Sequence, residues 1–199
     1  MSGLVVVQQQ QRAAQLRPPA AGAVYTPRVL DLHTQPAAGH FGNTPKGVIL
    51  HSSRSGAASK SCHEEFEGTA AWNGANPDGL AWNATVGDDE IAIHLDPADW
   101  GWNARRASSS YLAVEFAQPT AAQAVTDGQV RAFCWWLRAR VLKQWPEFPR
   151  NFPTHAEVEA RGETGQHDGK SDVFPLGDPR ADELRARIAA RLDDNGWTN

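Results

Sequence analysis

The sequence has few cysteines, no long apolar run and no excess of positive charge. Its 199 residues include two cysteines, Cys62 and Cys134, which are too few for a disulfide framework and are expected to be reduced thiols. No apolar run approaches the roughly 20 residues that cross a membrane, so we expect no stable membrane association. Nineteen basic residues against 23 acidic ones give a net charge of −4, which argues against nucleic acid as a partner.

The first eleven residues, MSGLVVVQQQQ, lack the features of a secretory signal. Their apolar run covers only residues 4–7 and follows no Lys or Arg, whereas a signal peptide has a basic start and a longer apolar core. We therefore expect the protein to be cytoplasmic when made. Residues 8–40 are rich in Gln, Ala and Pro without a sustained period, which predicts an extended or partly ordered arm over residues 1–44. The length then leaves one domain, over residues 45–199.

Strand and helix signals alternate along this domain. Residues 47–51, Gly-Val-Ile-Leu-His, form an apolar run typical of a buried strand. Residues 111–116 alternate, with Leu112, Val114 and Phe116 on one face and Glu115 on the other. The other predicted elements are a hairpin of strands 80–86 and 90–95, a helix over 57–67, a helix capped by Thr126 or Asp127, mostly irregular chain over 145–178, and a helix from Pro179 to Gly196. This pattern predicts an α/β fold with one central mixed β-sheet flanked by helices.

Two histidines and several downstream polar residues are candidates for a metal site. His51 ends the first apolar strand, where α/β domains place functional side chains. His155 follows a proline-rich loop 104 residues later (155 − 51), so the fold must bring the two together. Two imidazoles and a carboxylate are a standard catalytic zinc set. The residues that could complete this set, or assist it, are His167, Asp168, Lys170 and Asp172.

Glu115 and the tryptophans are the other candidates. Glu115 lies on the polar face of a strand whose opposite face is apolar, which suits either a general base facing a cleft or an outward-facing edge charge. Eight tryptophans are many for this length, and Trp82 and Trp102 both fall between His51 and Glu115. Such rings either pack in a core or stack on a sugar.

The order of these elements resembles the zinc-dependent N-acetylmuramoyl-L-alanine amidases of the type-2 family. Their fold is shared with peptidoglycan recognition proteins and phage lysozyme-type amidases, and the resemblance covers roughly residues 45–192. The segments that carry it are Val-Ile-Leu-His51, Trp-Asn-Ala-Thr-Val86, Trp102-Asn, Leu-Ala-Val-Glu115-Phe, Pro-Thr-His155 and Lys170-Ser-Asp172.

The resemblance implies one zinc ion per chain, bound by His51, His155 and Asp172. It implies that Glu115 moves a proton and that Lys170 stabilises the developing oxyanion. The residues implied to contact substrate are Trp82, Trp102 and Asn103. The implied activity is hydrolysis of the amide bond between N-acetylmuramic acid and L-alanine of the peptidoglycan stem peptide. The implied protein is a monomeric phage or prophage endolysin that acts on the cell wall after release.

The sequence also departs from the family pattern. The interval from His155 to Asp172 is long (172 − 155 = 17 residues), and residues 162–165 look inserted. His167 and Asp168 therefore remain alternatives to Asp172 as the third ligand. Many phage members have a Tyr where this chain has Trp82, and an indole can donate only one N–H. The alternative functions are a non-catalytic peptidoglycan-binding module of the same fold, a zinc peptidase acting within the stem peptide and a cytoplasmic cell-wall recycling amidase.

Overall fold

A five-stranded mixed β-sheet forms the centre of the protein. The computed structural model describes residues 25–33, 35–53, 79–118, 120, 122–167 and 169–193. Within these ranges the strands are β1 (Arg28–Asp31), β2 (Gly39–His40), β3 (Val48–Ser52), β4 (Ala84–Gly87), β5 (Glu90–Ile93), β6 (Asp99–Trp100) and β7 (Leu112–Phe116). The helices are α1 (Asp127–Trp136), α2 (Leu142–Gln144), α3 (His155–Ala160) and α4 (Pro179–Asp193), with a π-helical turn (Leu137–Val141) between α1 and α2 and a 3₁₀ helix (Arg105–Ser109) before β7.

The sheet combines parallel and antiparallel pairs in the order β1-β5-β4-β7-β3. β4 and β5 form an antiparallel hairpin, whereas β4, β7 and β3 run parallel to one another. β1 pairs in parallel with β5, and β2 and β6 form a separate two-stranded ladder. The prediction of a single domain with a mixed sheet flanked by helices is confirmed.

One face of the sheet packs against α1 and α4. The alternation predicted for residues 112–116 is confirmed, because Leu112, Val114 and Phe116 are fully buried in the main hydrophobic cluster. The helical spacing of Leu184, Ile188 and Leu192 predicts a buried stripe on the last helix. This prediction is also confirmed, since α4 buries all three residues in the same cluster. Polar side chains of the strands consequently project from the opposite face.

The structure forms regular elements within two segments for which the sequence predicts little regular structure. Residues 28–31 fall within the predicted arm; they are extended, and β1 forms the edge of the central sheet beside β5. Residues 155–160 fall within the segment expected to be mostly irregular, yet they form α3. A run of six residues is too short for helical periodicity to reveal, but Thr154 and Glu157 at positions i and i+3 form a capping box there.

Some predicted features lie outside the described residues. These features are the helix over 57–67, the end of the last helix at Gly196, and Cys62. Cys134 is buried and carries a free thiol. In the described part of the chain, no helix is long and apolar enough to cross a membrane.

Substitution of Leu184 tests the packing of α4. Leu184→Ala is expected to lower the free energy of unfolding by about 2–5 kcal/mol, because it removes a fully buried side chain and leaves a cavity. The exposed neighbour provides the control: Glu183→Ala should change the same quantity by less than about 0.5 kcal/mol. Both values come from urea denaturation followed by circular dichroism. Equal losses in the two variants would contradict a stabilising role for the buried stripe.

Candidate functional site

The polar face of the sheet carries a row of functional side chains. His51 on β3 pairs in register with Glu115 on β7, and Glu115 pairs with Thr85 on β4. Paired residues of neighbouring strands project to the same side, so these three side chains share one face. Their strand neighbours Leu50 and Val114 point into the main core instead.

His155 is placed beside His51 by an extension of the sheet edge. The backbone N–H of Leu50 donates to the carbonyl of Pro153 at 2.9 Å, and Leu50 and Thr154 form a parallel bridge. Thr154 then caps α3, because its hydroxyl accepts the N–H of Glu157 while the Glu157 carboxylate accepts the N–H of Thr154. His155 is therefore the first residue of α3 and lies next to the strand that carries His51.

Asp172 is the third member of the cluster. Its carbonyl accepts the backbone N–H of His155 at 3.1 Å, which ties the segment to the start of α3. Its carboxylate Oδ2 lies 3.0 Å from Nδ1 of His51, and Nδ1 of His155 lies 3.3 Å from the same His51 nitrogen. Ligand atoms of the three residues all lie within 4.8 Å of one another, and all three residues are buried.

This donor set fits a zinc ion. Two ligand atoms bound tetrahedrally at about 2.0–2.1 Å from a zinc ion lie about 3.3 Å apart. This is close to the distances from Nδ1 of His51 to Oδ2 of Asp172 and to Nδ1 of His155, which are 3.0 and 3.3 Å. Two imidazole nitrogens that face each other at this distance share at most one proton, and a metal ion satisfies both. Two histidines and an aspartate also leave a fourth position for water or substrate, as catalytic zinc sites require.

Burial and charge oppose each other at the same cluster. Burial raises the pKa of Asp172, but the hydrogen bond and the positive charge of His51 lower it by more. The resulting pKa is about 2, below the ordinary value of an aspartate. Burial lowers the pKa of His51, yet the Asp172 hydrogen bond and the charges of Asp172 and Glu115 leave it above its ordinary value. The carboxyl of Asp172 is thus ionised near neutral pH, which is the form that binds a metal.

One of the two alternative third ligands, His167, does not join this cluster. His167 is exposed on the loop after α3, and its Nδ1 contacts the carboxylate of Glu159. Asp168 lies outside the described residues. Among the residues that the structure describes, only His51, His155 and Asp172 form a group of three that could hold a metal ion.

A cavity of about 490 Å³ lies over the cluster. It is lined by every residue predicted for the site except Trp102, namely His51, Trp82, Asn103, Glu115, His155, Lys170 and Asp172. Ser52, Ser53 and Leu80 also line it and were not predicted, although each lies within two residues of a predicted position. Small hydroxyls and a single leucine have no motif of their own that could reveal them.

The indole N–H of Trp82 does not point into the cavity. It donates to Oγ1 of Thr85 at 2.8 Å, and the same hydroxyl lies 2.8 Å from Nε2 of His94. Because the Thr85 oxygen accepts from Trp82, its own proton is available to His94, whose Nε2 then acts as an acceptor. Trp82 therefore offers the cavity a ring surface, and its N–H cannot replace the phenol of a Tyr.

Asn103 and Trp102 follow each other in the chain but differ in surroundings. The side-chain amide of Asn103 donates to the carbonyl of Gly101 at 2.7 Å, which orients the group at the wall of the cavity. Trp102 is 45% exposed and packs edge-to-face on Trp100, with ring centroids 5.1 Å apart. Trp102 does not line the cavity, and a role for it in substrate binding stays a prediction.

Comparisons with known proteins reveal similarity of fold. No protein-family model matches the chain, and no curated protein matches it. The solved structure of the Staphylococcus aureus hydrolase AmiA in complex with its ligand is 13% identical, with a TM-score of 0.58, over 94% of this chain and 90% of that one. The N-acetylmuramoyl-L-alanine amidase LysC from Clostridium intestinale is 14% identical, with a TM-score of 0.54, over 82% of this chain and 99% of that one.

A mutant endolysin from Bacillus subtilis is a third similar structure. It is 18% identical, with a TM-score of 0.54, over 82% of this chain and 99% of that one. At such identities the likeness establishes the fold. The chain thus has the fold that the resemblance of its sequence to type-2 amidases implies.

Metal titration tests the assignment of the third ligand. The metal-free protein is expected to bind about one zinc ion per chain, as a single tetrahedral site does. Asp172→Ala should weaken zinc binding more than about 100-fold, because loss of a direct ligand exceeds the 10–100-fold effect of an outer-shell partner. His167→Ala should leave zinc affinity unchanged. Competition with a chromogenic chelator measures the zinc affinity of the wild type and of both variants. A large loss of affinity in His167→Ala and none in Asp172→Ala would place the third ligand at His167.

Buried His94 predicts a pH dependence of stability. Burial, followed by the charge of His33, lowers the pKa of His94 from 6.5 to about 3. Between these values the unfolded chain binds a proton that the folded chain excludes, so stability falls as the pH decreases below about 6.5. The loss contributed by this group between pH 6.5 and 5 is about 2 kcal/mol. Urea denaturation of the metal-free protein and of His94→Gln should show a shallower pH slope in the variant, and equal slopes would contradict the argument.

Proposed function

We propose that this protein is a peptidoglycan hydrolase, specifically an N-acetylmuramoyl-L-alanine amidase. It would cleave the amide bond between the lactyl group of N-acetylmuramic acid and L-alanine of the stem peptide. The observation that carries the proposal is the buried cluster of His51, His155 and Asp172, which lies in one cavity with Glu115 and Lys170. The fold shared with the amidase LysC supports the same activity.

The three buried ligands are proposed to hold one zinc ion. When bound, zinc would supply Lewis-acid polarisation of the amide carbonyl and activation of water. His51 and His155 would bind through the Nδ1 atoms that face each other, and Asp172 through Oδ2. The negative charge of Asp172 would offset part of the charge of the cation in this buried position.

Glu115 is proposed to carry the proton. Its carboxylate projects from β7 beside His51 and lines the cavity, so it lies next to the ligand cluster. It would take a proton from the attacking water as the C–O bond forms. The same carboxyl would give that proton to the amine nitrogen as the C–N bond breaks, which leaves a carboxylic acid and a free amine.

Lys170 is proposed to stabilise the transition state. Lys170 lines the cavity and precedes the proposed ligand Asp172 by two residues in the chain. An ammonium group at this wall would stabilise the negative charge that develops on the carbonyl oxygen during attack. The lysine side chain has several rotatable bonds. A fixed backbone at Lys170 therefore helps to keep its ammonium group near the carbonyl oxygen.

The walls of the cavity are proposed to recognise the glycan and the stem peptide. In the described part of the chain, Oδ1 of Asn103 is buried without a hydrogen-bond partner, so it can accept an N–H from a peptide substrate. The ring of Trp82 would pack against the substrate inside the cavity. Trp102, which is exposed beside Trp100, would stack on a sugar of the substrate that extends out of the cavity.

The biological role we propose is that of a phage or prophage endolysin, acting as a monomer on the cell wall after release. The likeness in fold to an endolysin from Bacillus subtilis supports this role. The net charge of −4 suits a glycopeptide substrate better than a nucleic acid.

Digestion of purified peptidoglycan tests the activity. The protein should release intact stem peptides with a free L-alanine amino terminus, detected by mass spectrometry, and a chelator should abolish the release. Stem peptides cut internally would indicate a peptidase, and binding without any product would indicate a recognition module. Cleavage of soluble fragments but not of intact cell wall would instead indicate a recycling enzyme.

Glu115→Gln tests the proton carrier in the same assay. The rate should fall by about 10²–10⁴, because the amide cannot accept the proton, while zinc affinity stays near that of the wild type. Glu163→Gln is the matched control, since Glu163 bonds to Tyr111 and Lys46 and does not line the cavity. An unchanged rate in Glu115→Gln would assign the proton transfer to another group.

A further inference from the structure

One face of α3 points two side chains toward the Lys170–Asp172 segment. His155 and Glu159 are four residues apart on this helix, so they lie on the same face one turn from each other. The His155 ring is part of the ligand cluster. The Glu159 side chain is only 6% exposed, although α3 lies near the surface.

The Glu159 carboxylate accepts two successive backbone N–H groups. Its Oε1 accepts from Gly169 at 3.0 Å, and its Oε2 accepts from Lys170 at 3.3 Å. Gly169 has φ of +64°, a left-handed conformation that favours glycine and lets both amides turn toward one carboxylate. Hydrogen bonds to an ionised carboxylate are roughly twice as strong as neutral ones, and they offset the cost of burying the charge.

We infer that Glu159 is a positioning residue that fixes the Lys170–Asp172 segment on α3, and this inference rests on the proposed function for the role of Lys170. Two hydrogen bonds to α3, one helical turn apart, hold the segment. At one end the His155 N–H donates to the carbonyl of Asp172, and at the other Glu159 accepts the N–H of Lys170. The cation and the metal ligand are thereby presented to the same cavity.

The length of the preceding loop explains why such an attachment is needed. Between α3 and Gly169 the chain turns through Gly162 and Gly165, which both have positive φ. Gly162 has open space where a side chain would be, so packing constrains this loop little there. Glu159 thus adds an attachment for the backbone of Lys170 to the one at Asp172.

Amide hydrogen exchange tests the inference independently of activity. In Glu159→Gln one acceptor oxygen becomes an NH₂ group, so the exchange of the Gly169 and Lys170 amides should accelerate by about tenfold or more, for the loss of about one charge-assisted hydrogen bond. Glu163→Gln, a matched change on the adjoining loop, should leave both amides unchanged. Glu159→Asp retains the charge with a shorter reach and should accelerate the same two amides. Unchanged protection in both Glu159 variants would overturn the inference.

A double-mutant cycle tests the link to Lys170. Glu159→Gln should lower kcat by about 10–100-fold with a smaller change in KM, which is the usual size of an outer-shell effect. In a Lys170→Met background the same substitution should lower kcat by less than about threefold, because the group it positions is already absent. A full-sized effect in that background would show that Glu159 acts through another route. Absence of any amidase activity in the wild type would reject the proposed function. The hydrogen-exchange experiment would still show whether Glu159 holds the Lys170–Asp172 segment on α3.

Discussion

Register between β3 and β7 sets which side chains of the two strands share a face. Because Leu50 lies opposite Val114, both enter the hydrophobic core, and because His51 lies opposite Glu115, both face the cavity. A shift of one residue would bury a histidine and a carboxylate among apolar side chains and expose the core residues. The energy that packs α1 and α4 on the sheet therefore also fixes the two polar groups beside each other.

Hydrogen bonds between the members of the buried polar cluster offset part of the cost of burying them. A lone buried carboxylate or imidazole costs several kcal/mol, and removing one partner of a buried pair is strongly destabilising. Here the Asp172 carboxylate accepts from His51, while its backbone carbonyl accepts from His155. The capping of α3 by Thr154 places His155 at the helix start, where its own N–H is not used within the helix. Local helix signals and the long-range cluster thus favour the same arrangement.

The parts of the site that the sequence predicted are those with a local signal. The β3 run that ends near His51, the alternation around Glu115 and the stripe on α4 each appear within a few residues, and the structure confirms these elements. Contact between His51 and His155 has no local signal, since 104 residues separate them. The chemistry of the two side chains suggested the pair, and the ordered resemblance to a family implied it. The capping box at Thr154 was a local signal for α3 that helical periodicity could not supply. Glu159 had none, because the carboxylate of a short helix acquires its function from a backbone ten residues later.

Low identity to proteins of the same fold is consistent with how few positions the site constrains. Identities of 13–18% accompany TM-scores above 0.5, so largely different sequences form this fold. The site, in contrast, needs particular atoms from β3, β7, the start of α3 and the segment that follows it. Loop length is a weak constraint, because doubling a flexible loop costs only about 0.6 kcal/mol in closure entropy. A long connection between His155 and Asp172 is therefore thermodynamically tolerable, but it leaves the orientation of Lys170 undetermined. The two hydrogen-bonded attachments to α3 restore that orientation, which allows the loop to vary while the ligand and the cation stay in place.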